Sequence, residues 1–240
     1  MRDLLDFTGK TVVVTGGSTG IGNGIARAFR DHGAKLIVTA SRERAAYDTD
    51  MTDMDYHQVD IADDDAMRAF AARVTVIDVL VNSVGAVAYK RAEYQMDTFR
   101  KVMDVNLNGV MHACTLFHDK LLARKGNIVN VTSTASFRPT PGNPAYSASK
   151  GALALLTKTL AAAWGAEGIR VNGLAPGFVE TKMTRVSRDN PQIYQGSLRA
   201  TPLRRWGTPE EMGQVALFLA SDMASYMTGH TIPVDGGSSL

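Results

Sequence analysis

Along the chain, short runs of β-branched and other apolar residues alternate with longer stretches in which apolar positions recur every three or four residues. Residues 11–15, 35–39, 78–82, 127–132, 169–174 and 231–234 each predict a strand, and 56–60 a weaker one. The helical stretches are 21–32, closed by Gly33; 64–73, with Asp63 as its cap; 97 to about 123; 143–164, ended by Gly165; and 210–220. Strands that are apolar throughout lack the alternation of a half-wetted sheet. Separated by helices, they predict a parallel sheet covered on both faces, an α/β fold.

Two stretches break this rhythm. Residues 43–57 carry Asp48, Asp50, Asp53 and Asp55, without the central glycine and twelfth-position glutamate of a calcium loop, and read as a solvated loop with no metal. Residues 181–205 are irregular and hold six basic side chains, Lys182, Arg185, Arg188, Arg199, Arg204 and Arg205.

Composition narrows the class. With 240 residues, 45% apolar and 21% charged, the chain has the make-up of a globular protein that needs no staples. Length alone allows between one and two domains, and the absence of any linker or repeat favours one, spanning 1–240. The single cysteine, Cys114, excludes an internal disulfide framework and points to a reducing, cytoplasmic setting. A net charge of +2 gives no argument for nucleic acid. No run reaches the ~18 apolar residues of a membrane span. The acids in Met1-Arg2-Asp3-Leu4-Leu5-Asp6 are wrong for a secretory leader. Glycine is in excess, with 22 residues, and five of them fall between positions 16 and 24.

That cluster carries the first chemistry. The strand at 11–15 runs into Gly16-Gly17-Ser18-Thr19-Gly20-Ile21-Gly22, and a helix follows. Glycines in such a turn let the backbone approach a pyrophosphate, while the helix start presents free N–H groups and its positive dipole end. The spacing is G-x-x-x-G-x-G; Ile25 stands where a G-x-G-x-x-G fingerprint needs its third glycine.

The second cluster is Ser133, Tyr146 and Lys150. Tyr146 and Lys150 lie at i and i+4, on one face of the helix from 143, and Ser133 closes a strand at the sheet edge where ligands bind. Asn106 sits mid-helix, a poor place for asparagine unless its side chain is occupied. Hydride transfer to or from a carbonyl carbon needs a proton donor or acceptor at its oxygen. A phenol with a pKa near 10 serves at neutral pH if lowered toward 7, which takes about 4 kcal/mol of phenolate stabilisation. The Lys150 ammonium and an oxidised nicotinamide favour that form. Ser133 donates to the substrate oxygen, and Asn106 holds a water that relays protons.

In order along nearly the whole chain, these residues resemble the short-chain dehydrogenase/reductase family. The turn at 15–22 is similar to its T-G-x-x-x-G-x-G segment, with Gly16, Ser18, Thr19, Gly20, Ile21 and Gly22 as contacts. Asp60 and Ile61 stand at its adenine contact, and Asn82-Ser83-Val84-Gly85 at its N-N-A-G segment, Ser83 and Val84 being departures. Asn106, Ser133, Tyr146 and Lys150 match its catalytic tetrad. Pro176, Gly177, Val179 and Thr181 match the segment that holds the nicotinamide carboxamide and diphosphate. Val234-Asp235-Gly236-Gly237 matches its usual tail. The resemblance implies one doubly wound Rossmann-type domain with a seven-stranded parallel sheet, an NAD(P)-dependent oxidoreductase, a substrate lid at 181–205 and a homotetramer.

The choice of cofactor turns on the end of the second strand. Ala40 occupies the position of the acid that grips the ribose in NAD enzymes, and Ser41 and Arg42 follow it, which favours NADP(H) over NAD(H). The expected substrate is a small-molecule ketone or secondary alcohol, with Arg138, Thr140 and Asn143 as candidate pocket residues. The basic lid reads as a solvated face before an anion site. The alternative is a non-catalytic dinucleotide-binding regulator on the same fold, against which the intact Tyr146 and Lys150 argue.

Overall fold

The computed structural model describes residues 4–240, so the first three residues of the acid-bearing N-terminal segment lie outside the described residues. Seven strands, β1 (Thr11–Thr15), β2 (Lys35–Ala40), β3 (Met54–Gln58), β4 (Val79–Asn82), β5 (Asn127–Val131), β6 (Arg170–Pro176) and β7 (Thr231–Val234), form one sheet in the order β3-β2-β1-β4-β5-β6-β7. Every pairing is parallel. The sequence expectation of a doubly wound, seven-stranded α/β fold holds.

The continuous apolarity of the strands has its reason in two separate cores. Val12 and Val14 of β1 point to one face and pack with Ile25 and Phe29 of helix α1 (Gly20–Asp31). Val13, between them, points to the other and joins Leu80, Ile128 and Phe117. Successive side chains alternate across a strand, so a strand buried on both faces has no polar position to spare. The second face is covered by α2 (Asp64–Arg73) and by the helices between β4 and β6. Asp63 caps α2 as expected, accepting from the N–H groups of Asp65 and Ala66.

Three expectations need correction. The third strand lies at Met54–Gln58, earlier than 56–60, because the Asp60 carboxylate accepts from the N–H of Ala62 and turns the chain away from the sheet. The long helix expected from 97 is α3 (Met96–Met103), a π turn (Asp104–Asn108) and α4 (Gly109–Arg124). The stretch 181–205 is not irregular: after α5 (Pro144–Trp164) and β6 it holds the short α6 (Arg185–Arg188) and α7 (Pro191–Ala200), whose Asn190 side chain accepts from the N–H groups of Gln192 and Ile193. The last helix is α8 (Pro209–Ala220). Among the described residues, no helix is long and apolar enough to cross a membrane.

The order of strands reverses at β1 and β4. The loops leaving their C-terminal ends diverge there, and a doubly wound sheet opens its ligand crevice at that point.

Candidate active site

β1 delivers the chain to the crevice, and two close approaches explain the glycines. Gly16 has φ +74°, and a Cβ there would lie 2.8 Å from the Ser83 carbonyl oxygen. A Cβ on Gly22 would stand 2.1 Å from the Gly16 carbonyl oxygen. The cradle thus exists only without side chains. Thr19, the N-cap of α1, makes no side-chain cap bond, and the first turn carries no acid. The start of α1 is therefore an uncompensated positive pole facing the cavity, and the arrangement fits the diphosphate of a dinucleotide.

The cavity encloses about 460 Å³ and is lined by Gly16, Ser18, Thr19, Gly20, Ile21, Gly22, Ser41, Arg42, Asp60, Ile61, Gly85, Ser133, Tyr146, Lys150, Pro176, Gly177, Val179 and Thr181. All of these are among the residues expected from the sequence. Asn82 and Asn106 are the exceptions, and the reason is the same for both. Asn82, fully buried, accepts from the Thr15 hydroxyl at 3.2 Å and donates to Asn130 Oδ1 at 2.9 Å, linking strands beneath the floor. Asn106, in the π turn, accepts from the Ala86 N–H at 2.7 Å and donates to the Ala86 carbonyl and the Ser149 hydroxyl. Its side chain clamps the loop after β4.

At the end of the cavity beside β2, the 43–57 segment contributes a residue for which the sequence carries no signal. Tyr47 lines the cavity, and the Arg42 guanidinium lies 4.7 Å from its ring centroid. The Arg42 N–H donates to the Tyr47 hydroxyl at 3.2 Å, and Tyr56 donates to the Arg42 carbonyl. Burial pushes the Tyr47 phenol up, but its hydrogen bonds with Ser18 and Arg42 and the Arg42 charge leave it below its ordinary value. Thr49 donates to the Ser18 carbonyl and Asn23 to that of Asp50, so the loop is strapped to the glycine turn. The 43–57 segment lacks the periodicity that would reveal this.

At the other end, β5 ends beside Ser133, and α5 presents Tyr146 and Lys150. Lys150, 3% exposed, donates from Nζ to the carbonyls of Val131 at 2.9 Å and Val84 at 3.4 Å. Nζ lies 5.9 Å from the Tyr146 ring centroid. Burial pushes the Lys150 ammonium down to about 8. Burial lifts Tyr146 above its ordinary value, the Ser133 hydrogen bond opposes this, and the charges of Tyr89 and Glu93 add to the rise. Burial therefore favours the protonated phenol here.

The expected pocket residues behave differently. Arg138 donates to the Ser238 carbonyl, Thr140 bonds Ser147, and Asn143 donates to the Ala88 carbonyl; none of the three lines the cavity. Among the described residues of the lid, Lys182 is the basic side chain that lines the cavity, and it pairs with Asp48. Arg185 and Arg205 are engaged by Asp189 and Glu211. Val84, Ala86 and Met183 supply the apolar wall.

A family model described as enoyl-(acyl carrier protein) reductase matches residues 15–239. The galactitol 2-dehydrogenase (L-tagatose-forming) of Cereibacter sphaeroides is 41% identical over 248 residues, covering 98% of this chain and 97% of that protein. The 3-oxoacyl-(acyl-carrier-protein) reductase of Chlamydia muridarum is 37% identical, over 99% of each chain. Among solved structures, an active-site complex of Pseudomonas aeruginosa RhlG with NADP superposes with a TM-score of 0.90 at 30% identity, over 100% of both chains.

Proposed function

Given that the chain belongs to the short-chain dehydrogenase/reductase family, we propose that it is an NADP-preferring oxidoreductase acting on ketones and secondary alcohols, with Tyr146 as the proton donor. Nicotinamide-dependent oxidoreductase chemistry comes with the family. The observation that carries the finer reading is the convergence of Ser133, Tyr146 and Lys150 on the cavity whose other wall is the glycine turn. When bound, the nicotinamide supplies or accepts the hydride.

The chain's own residues divide the remaining work. Tyr146, held protonated by burial, donates its proton to the carbonyl oxygen as negative charge develops there. Ser133 donates a hydrogen bond to the same oxygen and keeps it facing the phenol. Lys150, anchored on the Val131 and Val84 carbonyls, fixes the floor of the site and sets a positive charge beneath the phenolate left after transfer. Asn106 holds Ala86, and with it the loop that carries Gly85. The apolar wall of Val84, Ala86 and Met183 favours a neutral substrate, and Arg185 and Arg205 of the lid are taken up by Asp189 and Glu211.

The preference for NADP rests on Ser18, Ser41 and Arg42, with Tyr47 as the platform on which the guanidinium lies. Ala40 leaves no carboxylate to repel a 2′-phosphate. The chain is one domain, 1–240, since both halves of the site hang from one sheet. The exposed Leu155 and Phe137 beside the edge strand β7 support a homotetramer. The buried lone Cys114 fits the cytoplasm.

Tyr146→Phe should abolish NADPH-linked turnover on a panel of ketones, β-ketoacyl thioesters, sugars and steroid alcohols while NADPH still binds. In the same assay, Arg42→Asp should raise KM for NADPH about 10- to 100-fold and leave that for NADH nearly unchanged. Turnover by the phenylalanine variant, or an equal shift for both cofactors, would overturn the corresponding assignment.

A further inference from the structure

Glu93, in the connection from β4 to α3, is completely buried, yet its three hydrogen-bond partners are all neutral. Oε1 accepts from the Ala88 N–H at 2.9 Å and from Asn143 Nδ2 at 3.2 Å, while Oε2 accepts from the Tyr146 N–H at 2.9 Å. Buried carboxylates without a cation are costly and persist where their bonds hold something in place. Asn143, the N-cap of α5, makes no cap bond of its own, so Glu93 takes over that task from another segment. It satisfies an orphan N–H in the first turn, at the positive end of a 21-residue helix.

The same carboxylate also ties down the loop that precedes it, through the Ala88 N–H. Lys90 and Arg91 both sit at positive φ, 58° and 59°, a conformation that side chains of this kind disfavour. Next to them, Tyr89 donates to the Met183 carbonyl of the lid at 2.7 Å. Glu93 thus ties together the Tyr89 loop, the segment before α5 and the residue that bears the phenol.

We propose that Glu93 is a positioning residue for proton transfer at Tyr146, seating the first turn of α5 against the loop that carries Tyr89. The proposal rests on the reading of Tyr146 as proton donor. Its negative charge has a second effect. The groups facing the phenol are Ser133 from the end of β5, Tyr89 and Glu93 from the loop, and Lys150 from its own helix; of these, Tyr89 and Glu93 push the phenol up. Glu93→Gln removes that charge and turns an amide donor toward one of the two backbone N–H groups. Glu93→Asp keeps the charge and loses one methylene of reach.

The phenol is read by tyrosinate absorbance of the full chain across pH, with the Tyr146→Phe protein subtracted and circular dichroism recorded at each point. This measurement needs no turnover, so it stands even if the proposed ketone reduction fails. In Glu93→Gln, Tyr146 should titrate at lower pH than in the wild type. NADPH-linked reduction of ethyl acetoacetate should lose roughly 10- to 100-fold in kcat with little change in KM for NADPH. Glu93→Asp should titrate like the wild type and still lose kcat. A phenol that titrates identically in folded Glu93→Gln and wild type reduces Glu93 to a structural cap and overturns the proposal. Should the glutamine variant not fold, a wild-type kcat in Glu93→Asp overturns it in the same way.

Discussion

Lys150 holds its ammonium where water cannot reach it, with two backbone carbonyls as the bonds its burial retains. Burial moves it from 10.5 down to about 8, and that depression fixes how stability depends on pH. Between those two values the unfolded chain binds a proton that the folded chain has released, so stability rises with pH across the window. The difference corresponds to ~3 kcal/mol. Thermal unfolding of the wild type and Lys150→Met at a series of pH values isolates the effect, because both keep every other titrating group. The wild type should gain on the variant as pH passes from about 8 to 10.5; a constant difference would mean that the ammonium is solvated. Residues at this scale are legible in the sequence in unequal measure. Tyr146 and Lys150 declare themselves by the spacing of one helix face, and Ser133 by its place at a strand end. Asn82 and Asn106 stand out as asparagines in odd positions, but sequence does not reveal which partner an amide spends its bonds on. Tyr47 and Glu93 come from irregular connections, and only the folded chain brings them to the site.

Helix α1 reaches the cavity with its N-terminus, and what fixes its height there is its packing on α8. A Cβ on Gly24 would lie 2.4 Å from the Pro209 carbonyl oxygen, and one on Gly213 would lie 2.8 Å from the Gly24 carbonyl oxygen. Two helices in backbone contact have no flexible side chain to yield. Gly24→Ala should therefore force α1 away from α8 at a cost on the order of 1–3 kcal/mol, which exceeds the ~1 kcal/mol that alanine gains over glycine in a helix. The melting temperature should drop by several degrees and KM for NADPH should rise, since the displaced helix carries the cradle. Gly196, in α7, has open space where a Cβ would stand, with nothing within 4 Å, so Gly196→Ala should hold or raise the melting temperature. Equal effects from the two substitutions would show that close packing does not set the position of α1. The elements themselves are mostly readable, because strands buried on both faces and capped helices leave strong local patterns. The π turn at Asp104–Asn108 is not, since one widened turn hardly disturbs apolar periodicity. For α7 the local signal is present, with Asn190 as cap and Pro191 in the first position, but its helix buries little, so no apolar stripe extends it.

Across the whole molecule, two cores and a sheet with β3 and β7 at its edges leave an apolar patch uncovered beside β7. Leu155 is 65% exposed and Phe137 is 52% exposed, and both line a shallow concavity with His230 and with Thr231 of the edge strand β7. An exposed strand edge beside apolar side chains is a surface that soluble proteins ordinarily cover. In the proposed homotetramer, copies of this chain cover it, and symmetry then places each Leu155 near its own equivalent or near the same neighbouring patch. A charge at that position would be desolvated in every copy at once. Leu155→Glu should therefore shift the sedimenting species from tetramer to dimer or monomer, while the far-ultraviolet circular dichroism stays that of the wild type, because the side chain belongs to neither core. NADPH binding should survive at the separated subunit, as the cradle and the Arg42–Tyr47 pair are built within one chain. A wild type that sediments as a monomer at micromolar concentration, or a glutamate variant that stays tetrameric, would assign this patch to something other than self-association.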